Sequence, residues 1–178
     1  MTKGLIGFVI LAVLAGCSNS PKPGTSTSQA MQVLVAKIEP TAGNNARGTV
    51  TFEAKGDKVK VTADLDGLTP SGQHAIHVHE TGDCSAPDGM SAGGHYNPES
   101  KPHGLPTTED RHAGDLGNLT ADASGHAHYE ITVDNISLST GKNPVLGKAV
   151  IVHAKADDGG QPTGNAGARL GCGVIQVK

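Results

Sequence analysis

The stretch His74–Glu80, HAIHVHE, places His77 and His79 at alternate positions of an otherwise apolar run. In an extended strand, residues two apart project to the same side, so the two imidazoles share a face. Such a pair is either solvated or forms two teeth of a metal clamp, and the other histidines decide between these readings. The chain has nine. In HAHYEITV, Ala127, Tyr129, Ile131 and Val133 alternate inward, which places His126 and His128 outside with Glu130, in solvent. His74 has the parity of Ile76 and Val78 and reads as a hydrogen-bonded structural histidine. Six remain: His77, His79, His95, His103, His112 and His153.

Three of these, in GGHYNP, KPHGLP and RHAGD, precede Asp115 by short steps. Imidazoles at His95, His103 and His112 with one carboxylate can close a tetrahedral zinc site. His77, His79 and His153 offer imidazole nitrogen only, a donor set that suits Cu(II) in tetragonal geometry. If one histidine is shared, both sets are complete.

The elements that position these groups read as strands. In KVKVTADL, Val59, Val61, Ala63 and Leu65 fall on one face and Lys58, Lys60, Thr62 and Asp64 on the other. TVTFEA, with Val50, Phe52 and Ala54 inward, precedes it across Gly56-Asp57, a hairpin signal. VLVAKIE, HAIHVHE, HAHYEITV, KAVIVHA and CGVIQVK are further strand candidates, and the mature chain has no sustained 3.6-residue period. Gly is 25 of 178 residues, about twice average usage, which suits many turns. The expected fold class is all-β, an antiparallel sandwich or barrel. Its core must be packed by Val, Leu, Ile and Ala, because Phe52, Tyr96 and Tyr129 are the only aromatics beyond the leader. Two segments, about Thr81–Gly114 and Asp157–Arg169, lack strand pattern, and a loop as long as the first in a compact domain is usually functional or disordered.

The leader has Lys3 and then LIGFVILAVL, Leu5–Leu14, an apolar run too short to remain as a membrane-spanning anchor. It ends in LAGC, which resembles the lipobox of bacterial lipoprotein signals. That resemblance implies a signal over residues 1–17, acylation of Cys17 and a lipid-anchored periplasmic protein, with Ser18 pointing to the outer membrane. Residues 18–30 read as a Ser/Thr/Pro tether, and 31–178 as one domain. With Cys17 acylated, Cys84 and Cys172 remain in an oxidising compartment, either paired or as buried thiols. A bond between them would close a loop worth about 4–5 kcal/mol on the chain-entropy model. The formal net charge of −3 and the lack of a basic run argue against nucleic acid as a partner. An anionic substrate would then need a local positive focus.

HVHETGDCSAPDGMSAGGHYNP, HGLPTTEDRHAGDLGNLTAD, VIVHAKADD and TGNAGARLGCGVI resemble, in order, the copper,zinc superoxide dismutase family, from about Val33 to Val177. The resemblance implies an eight-stranded Greek-key β-barrel with one copper and one zinc ion per subunit. It implies copper at His77, His79, His95 and His153, and zinc at His95, His103, His112 and Asp115, with the ring of His95 bridging. Asp157 would hydrogen-bond a copper-side and a zinc-side histidine together, and Cys84 and Cys172 would form a disulfide. Arg169 would stand beside the copper, with Thr163 narrowing the channel mouth. The implied reaction converts superoxide to O2 and H2O2 by alternate reduction and reoxidation of copper, with Arg169 and His95 catalytic, protecting the cell envelope from extracellular superoxide. Family members include monomers and dimers, so a homodimer stays open. One departure matters: only DGGQP separates Asp157 from Thr163, where animal cytosolic members carry a longer segment with Glu and Lys. Steering by distant charges in that loop is therefore not implied. A non-catalytic copper/zinc-binding envelope protein of the same fold would be marked by loss of a copper ligand or of the arginine, and neither is lost. A zinc hydrolase would need an open zinc position and a general base. A purely structural module leaves the six histidines unexplained.

Overall fold

A computed structural model describes residues 1–2 and 33–178. The expected signal (beyond Thr2), Cys17 and the tether lie outside the described residues. The strands are β1 (Val33–Pro40), β2 (Arg47–Lys55), β3 (Lys58–Asp66), β4 (Gln73–His79), β5 (Asp115–Thr120), β6 (Ala127–Val133), β7 (Ala149–His153) and β8 (Arg169–Val177). They pair antiparallel in the order β5-β4-β7-β8-β1-β2-β3-β6. The ends of this sheet, β5 and β6, approach one another and nearly close a Greek-key barrel. The Tyr129 hydroxyl on β6 donates to the Leu116 carbonyl on β5 at 2.7 Å across that seam.

Alternation does what period-2 patterning requires. Val59, Val61, Ala63 and Leu65 are buried on β3 and Val50 and Phe52 on β2, with Gly56-Asp57 turning between the two strands. Ala54, expected inward, is exposed, because β2 there runs out beyond the core into that turn. On β6, Ala127 and Val133 are buried while His128 and Glu130 are exposed. One strand, β5 (DLGNLT), shows no strand pattern in sequence because Asp115, Gly117 and Asn118 interrupt its apolar positions. Gly117 there has φ +88°, a left-handed conformation that favours glycine.

β4 and β7 are buried on both faces. Ile76, Val78, Val150 and Val152 face the main core. The opposite faces carry His77 and His79, and Ala149 and Ile151. The latter pair packs with Ala92 and Cys172 in a second, smaller apolar cluster that Cys84 also touches. Ala92 belongs to the β4–β5 loop, so that loop is the cover that makes an interior out of the outer face of β4 and β7. Cys84 and Cys172 are disulfide-bonded, tying the loop to β8 across a separation of 88 residues. Replacing both by Ser is expected to lower unfolding free energy by about 2–5 kcal/mol, read as a fall in the urea midpoint. An unchanged midpoint would mean that the cover is held by packing alone.

Candidate metal centre

His77 and His79 come from β4, His153 ends β7 and Asp115 starts β5, while His95, His103 and His112 lie on the covering loop. The fold gathers them into two buried donor groups: His77, His79, His95 and His153, and His95, His103, His112 and Asp115, the donor atoms of each within 4.8 Å of one another. His95 belongs to both. It reaches this position through a β-bridge between His79 and His95 that lays the loop back along β4.

In the second group, Asp115 Oδ1 lies 3.1 Å from His95 Nδ1, 3.1 Å from His103 Nδ1 and 3.3 Å from His112 Nδ1. His95 Nδ1 and His112 Nδ1 are 3.3 Å apart. A tetrahedral zinc ion with bonds of about 2.0–2.1 Å has ligand–ligand edges of roughly 3.3 Å, so these donors are spaced to fit one. Asp115 Oδ2 accepts the backbone N–H groups of His112 at 2.9 Å and Gly104 at 3.0 Å, which fixes the carboxylate.

The first group fits a cation for a different reason. His77 Nδ1, His79 Nε2 and His153 Nε2 are buried with no hydrogen-bond partner, an arrangement that is unfavourable unless something takes their lone pairs. Their other ring nitrogens are engaged. His77 Nε2 donates to Asp157 Oδ2 at 2.8 Å, His79 Nδ1 to the Gly93 carbonyl at 3.0 Å and His153 Nδ1 to the Gly167 carbonyl at 3.4 Å. Each such bond fixes the tautomer and leaves a bare nitrogen facing the group. With His95 Nδ1 committed to the second group, Nε2 is the atom it has left for the first.

Asp157 joins the two groups: its Oδ1 accepts from His103 Nε2 at 2.9 Å while Oδ2 holds His77. Arg169 donates from Nη1 to the Gly89 carbonyl and from Nη2 to the Gly93 carbonyl, both at 2.7 Å. Gly93 O therefore accepts from a histidine of the first group and from the guanidinium together. Arg169 and Thr163 line a cleft of about 530 Å³ with His79, His95 and His153.

The family model described as copper/zinc superoxide dismutase matches residues 46–175. The chain belongs to the copper/zinc superoxide dismutase family. Among solved structures it is similar to one titled "Crystal Structure Analysis of the clock protein EA4", with TM-score 0.75 and 38% identity over 83% of this chain and 96% of that one. As its name says, the superoxide dismutase family is one of copper and zinc, and the two donor groups are where this member could hold metal ions.

Electrostatics divide the histidines of this superoxide dismutase family member. Burial pushes the pKa of His77 down to about 4, of His153 to about 3 and of His79 to about 2. These rings are neutral near pH 7 and present lone pairs without a proton to displace. Burial also opposes protonation of His103, but hydrogen bonds to Asp115 and Asp157 outweigh it and raise the pKa to about 9. Burial alone would raise the pKa of both carboxyls. Instead, bonds from His103 and His95 hold Asp115 well below the usual carboxylate range, and bonds from His77 and His103 do the same for Asp157. A cation in the second group would take the place of the proton on His103.

Two supporting residues were not singled out from sequence. Asn118, on β5, accepts the Asp157 backbone N–H at 2.7 Å and donates to the Asp157 carbonyl at 2.9 Å. Gly164 has φ +72°, and a Cβ there would fall 2.0 Å from Asp157 Oδ1. Both stand inside the quoted motifs, yet only the folded loop shows what they touch. His74 donates from Nδ1 to the His153 carbonyl at 2.8 Å, the structural bond expected of it.

Proposed function

We propose that the protein is a superoxide dismutase that converts superoxide to O2 and H2O2, with copper at His77, His79, His95 and His153 and zinc at His95, His103, His112 and Asp115. The observation that carries this reading is the membership of one buried ring, His95, in both donor groups, one of which opens to a cleft containing an arginine. Copper, when bound, supplies a centre that can accept one electron and return it, while zinc keeps its charge. The chain's own residues do the rest. Arg169 supplies the positive focus that an anion needs on a molecule of net charge −3. Two of its five N–H groups are spent on Gly89 and Gly93, which fixes the guanidinium plane, and the others are free for a small anion. Thr163 narrows the approach. Two superoxide ions and two protons give one O2 and one H2O2. His95 Nε2 can take up and release one of those protons while contacts at Nδ1 hold the ring still, and water delivers the second.

Metal analysis and a dismutation assay on protein lacking residues 1–17 test the proposal. About one copper and one zinc per chain with fast turnover is the expected result. Metal-loaded protein without turnover would instead favour a non-catalytic metal-binding role. Arg169→Ala is expected to lower the rate at least about tenfold and to flatten its ionic-strength dependence. An unaltered rate and salt slope would rule out the guiding role.

We further propose that Cys17 is acylated and anchors the enzyme at the outer membrane of the bacterial envelope, where it meets superoxide from outside the cell. Cys17→Ala should move the protein from the membrane to the soluble fraction, and retention in the membrane would contradict the anchor.

A further inference from the structure

The short segment DGGQP, where the chain departs from animal cytosolic members, carries Gln161, a side chain that the reaction above does not use. Its carboxamide reaches the covering loop and pairs with both backbone groups of His103. Oε1 accepts the His103 N–H at 3.0 Å, and Nε2 donates to the His103 carbonyl at 2.8 Å. His103 is 3% exposed and lies in no strand of the described residues, so no ladder neighbour serves these two groups. Buried backbone groups without partners are costly, and a carboxamide answers a peptide N–H and C=O with an acceptor and a donor of its own.

We propose that Gln161 is a positioning residue that latches the wall of the cleft to the second donor group, setting His103 for a metal ion and Thr163 for the approach together. Three observations support it. First, the same segment holds His103 at a third point, where Asp157 Oδ1 accepts from the ring Nε2 at 2.9 Å. With backbone and ring both held, Nδ1 is the atom left to face the group, 3.1 Å from Asp115 Oδ1. Second, the segment is closed on itself. The Asp158 N–H donates to the Gly164 carbonyl at 3.0 Å and the Gly164 N–H to the Gly160 carbonyl at 2.6 Å. The Asp158 carboxylate accepts the Gly160 N–H at 2.8 Å and the Asn165 amide at 3.1 and 3.2 Å. A turn bonded in this way moves as one body, so Gln161 keeps a fixed relation to Thr163, which lines the cleft. Third, Gln161 is itself exposed, so its contribution lies in these two bonds and not in filling a core. The inference rests on the second donor group being a metal site, as proposed above, and not on turnover.

The test compares the full chain with Q161M, which keeps the length of the side chain and removes both bonds, and with Q161E. The latter keeps an acceptor for the His103 N–H but sets a carboxylate against the His103 carbonyl. Chelator competition reads Zn(II) affinity at the second group, and the visible spectrum of Co(II) in place of Zn(II) reads its geometry. Both variants should bind Zn(II) about tenfold more weakly, with shifted Co(II) bands and faster amide hydrogen exchange over residues 158–165. Cu(II) affinity at the first group should fall less. Wild-type Zn(II) affinity and Co(II) spectrum in Q161M would overturn the proposal, as would a loss equally large at both groups. The expected changes in a chain that binds both ions without dismutating superoxide would sink the catalytic reading and leave the latch standing.

Discussion

Stripped of metal by chelation, the protein is expected to lose stability steeply as pH falls from about 6.5 towards 4. In the fold, burial holds His77, His153 and His79 neutral down to about 4, 3 and 2, against 6.5 for a free imidazole. Below pH 6.5 the unfolded chain binds protons that the folded chain refuses, so the equilibrium shifts toward unfolding. Each such group contributes a slope of up to about 1.4 kcal/mol per pH unit. Three together give roughly 4 kcal/mol per unit, against a total stability of about 5–15 kcal/mol for a typical domain. His103 acts in the opposite sense. Its pKa is raised to about 9, so its contribution is complete below 6.5 and is lost as pH climbs through 9. Burial lowers the pKa of His112 as well, which adds to the acid limb; one group therefore opposes four, so the alkaline limb should be the shallower and the optimum should lie near neutrality. Urea midpoints of chelated protein from about pH 4.5 to 9 check this, and a flat acid limb would refute it. In loaded protein the lone pairs are occupied, so the acid limb should move to lower pH.

Asp157→Ala should weaken metal binding at both donor groups at once. The substitution strips His77 Nε2, His103 Nε2 and the Gly159 backbone N–H of their acceptor. Buried donors left unpaired cost about 1–3 kcal/mol each, so loss of the two imidazole bonds alone should cost the metal-free fold roughly 2–6 kcal/mol. Loss of the partner that orients a ligating imidazole typically lowers affinity about 10–100-fold. Here one carboxylate orients a ring in each group. His112→Ala touches only the second group directly, so it should weaken the first only through the coupling between the groups, and less than Asp157→Ala does. Competition with a chelator, read separately for copper and zinc, distinguishes the two variants. Full affinity for either ion in Asp157→Ala would mean that the carboxylate does not bridge the groups.

Much of this architecture was legible in the residues. Strict alternation in KVKVTADL and HAHYEITV fixed which side chains face the core, and it put His126 and His128 outside, where they are. It also isolated the six histidines that the fold gathers. Which of the six is shared did not follow from spacing. That depends on the loop folding back so that His95 bridges to His79, and family resemblance, not periodicity, pointed to it. β5 was illegible as a strand because it is built around a buried carboxylate and a left-handed glycine, not around alternating apolar residues. The orientation of Arg169 was equally hidden, since its plane is set by carbonyls 80 and 76 positions away.

The ring at position 95 and the carboxylate at 157 have a thermodynamic corollary. Occupancy of one group immobilises groups that the other must also order, so loading should be cooperative, and reciprocity requires the same coupling whichever ion arrives first. Chains filled at one position only should therefore be scarce at equilibrium, and a half-supplied population should sort itself into empty and doubly filled molecules.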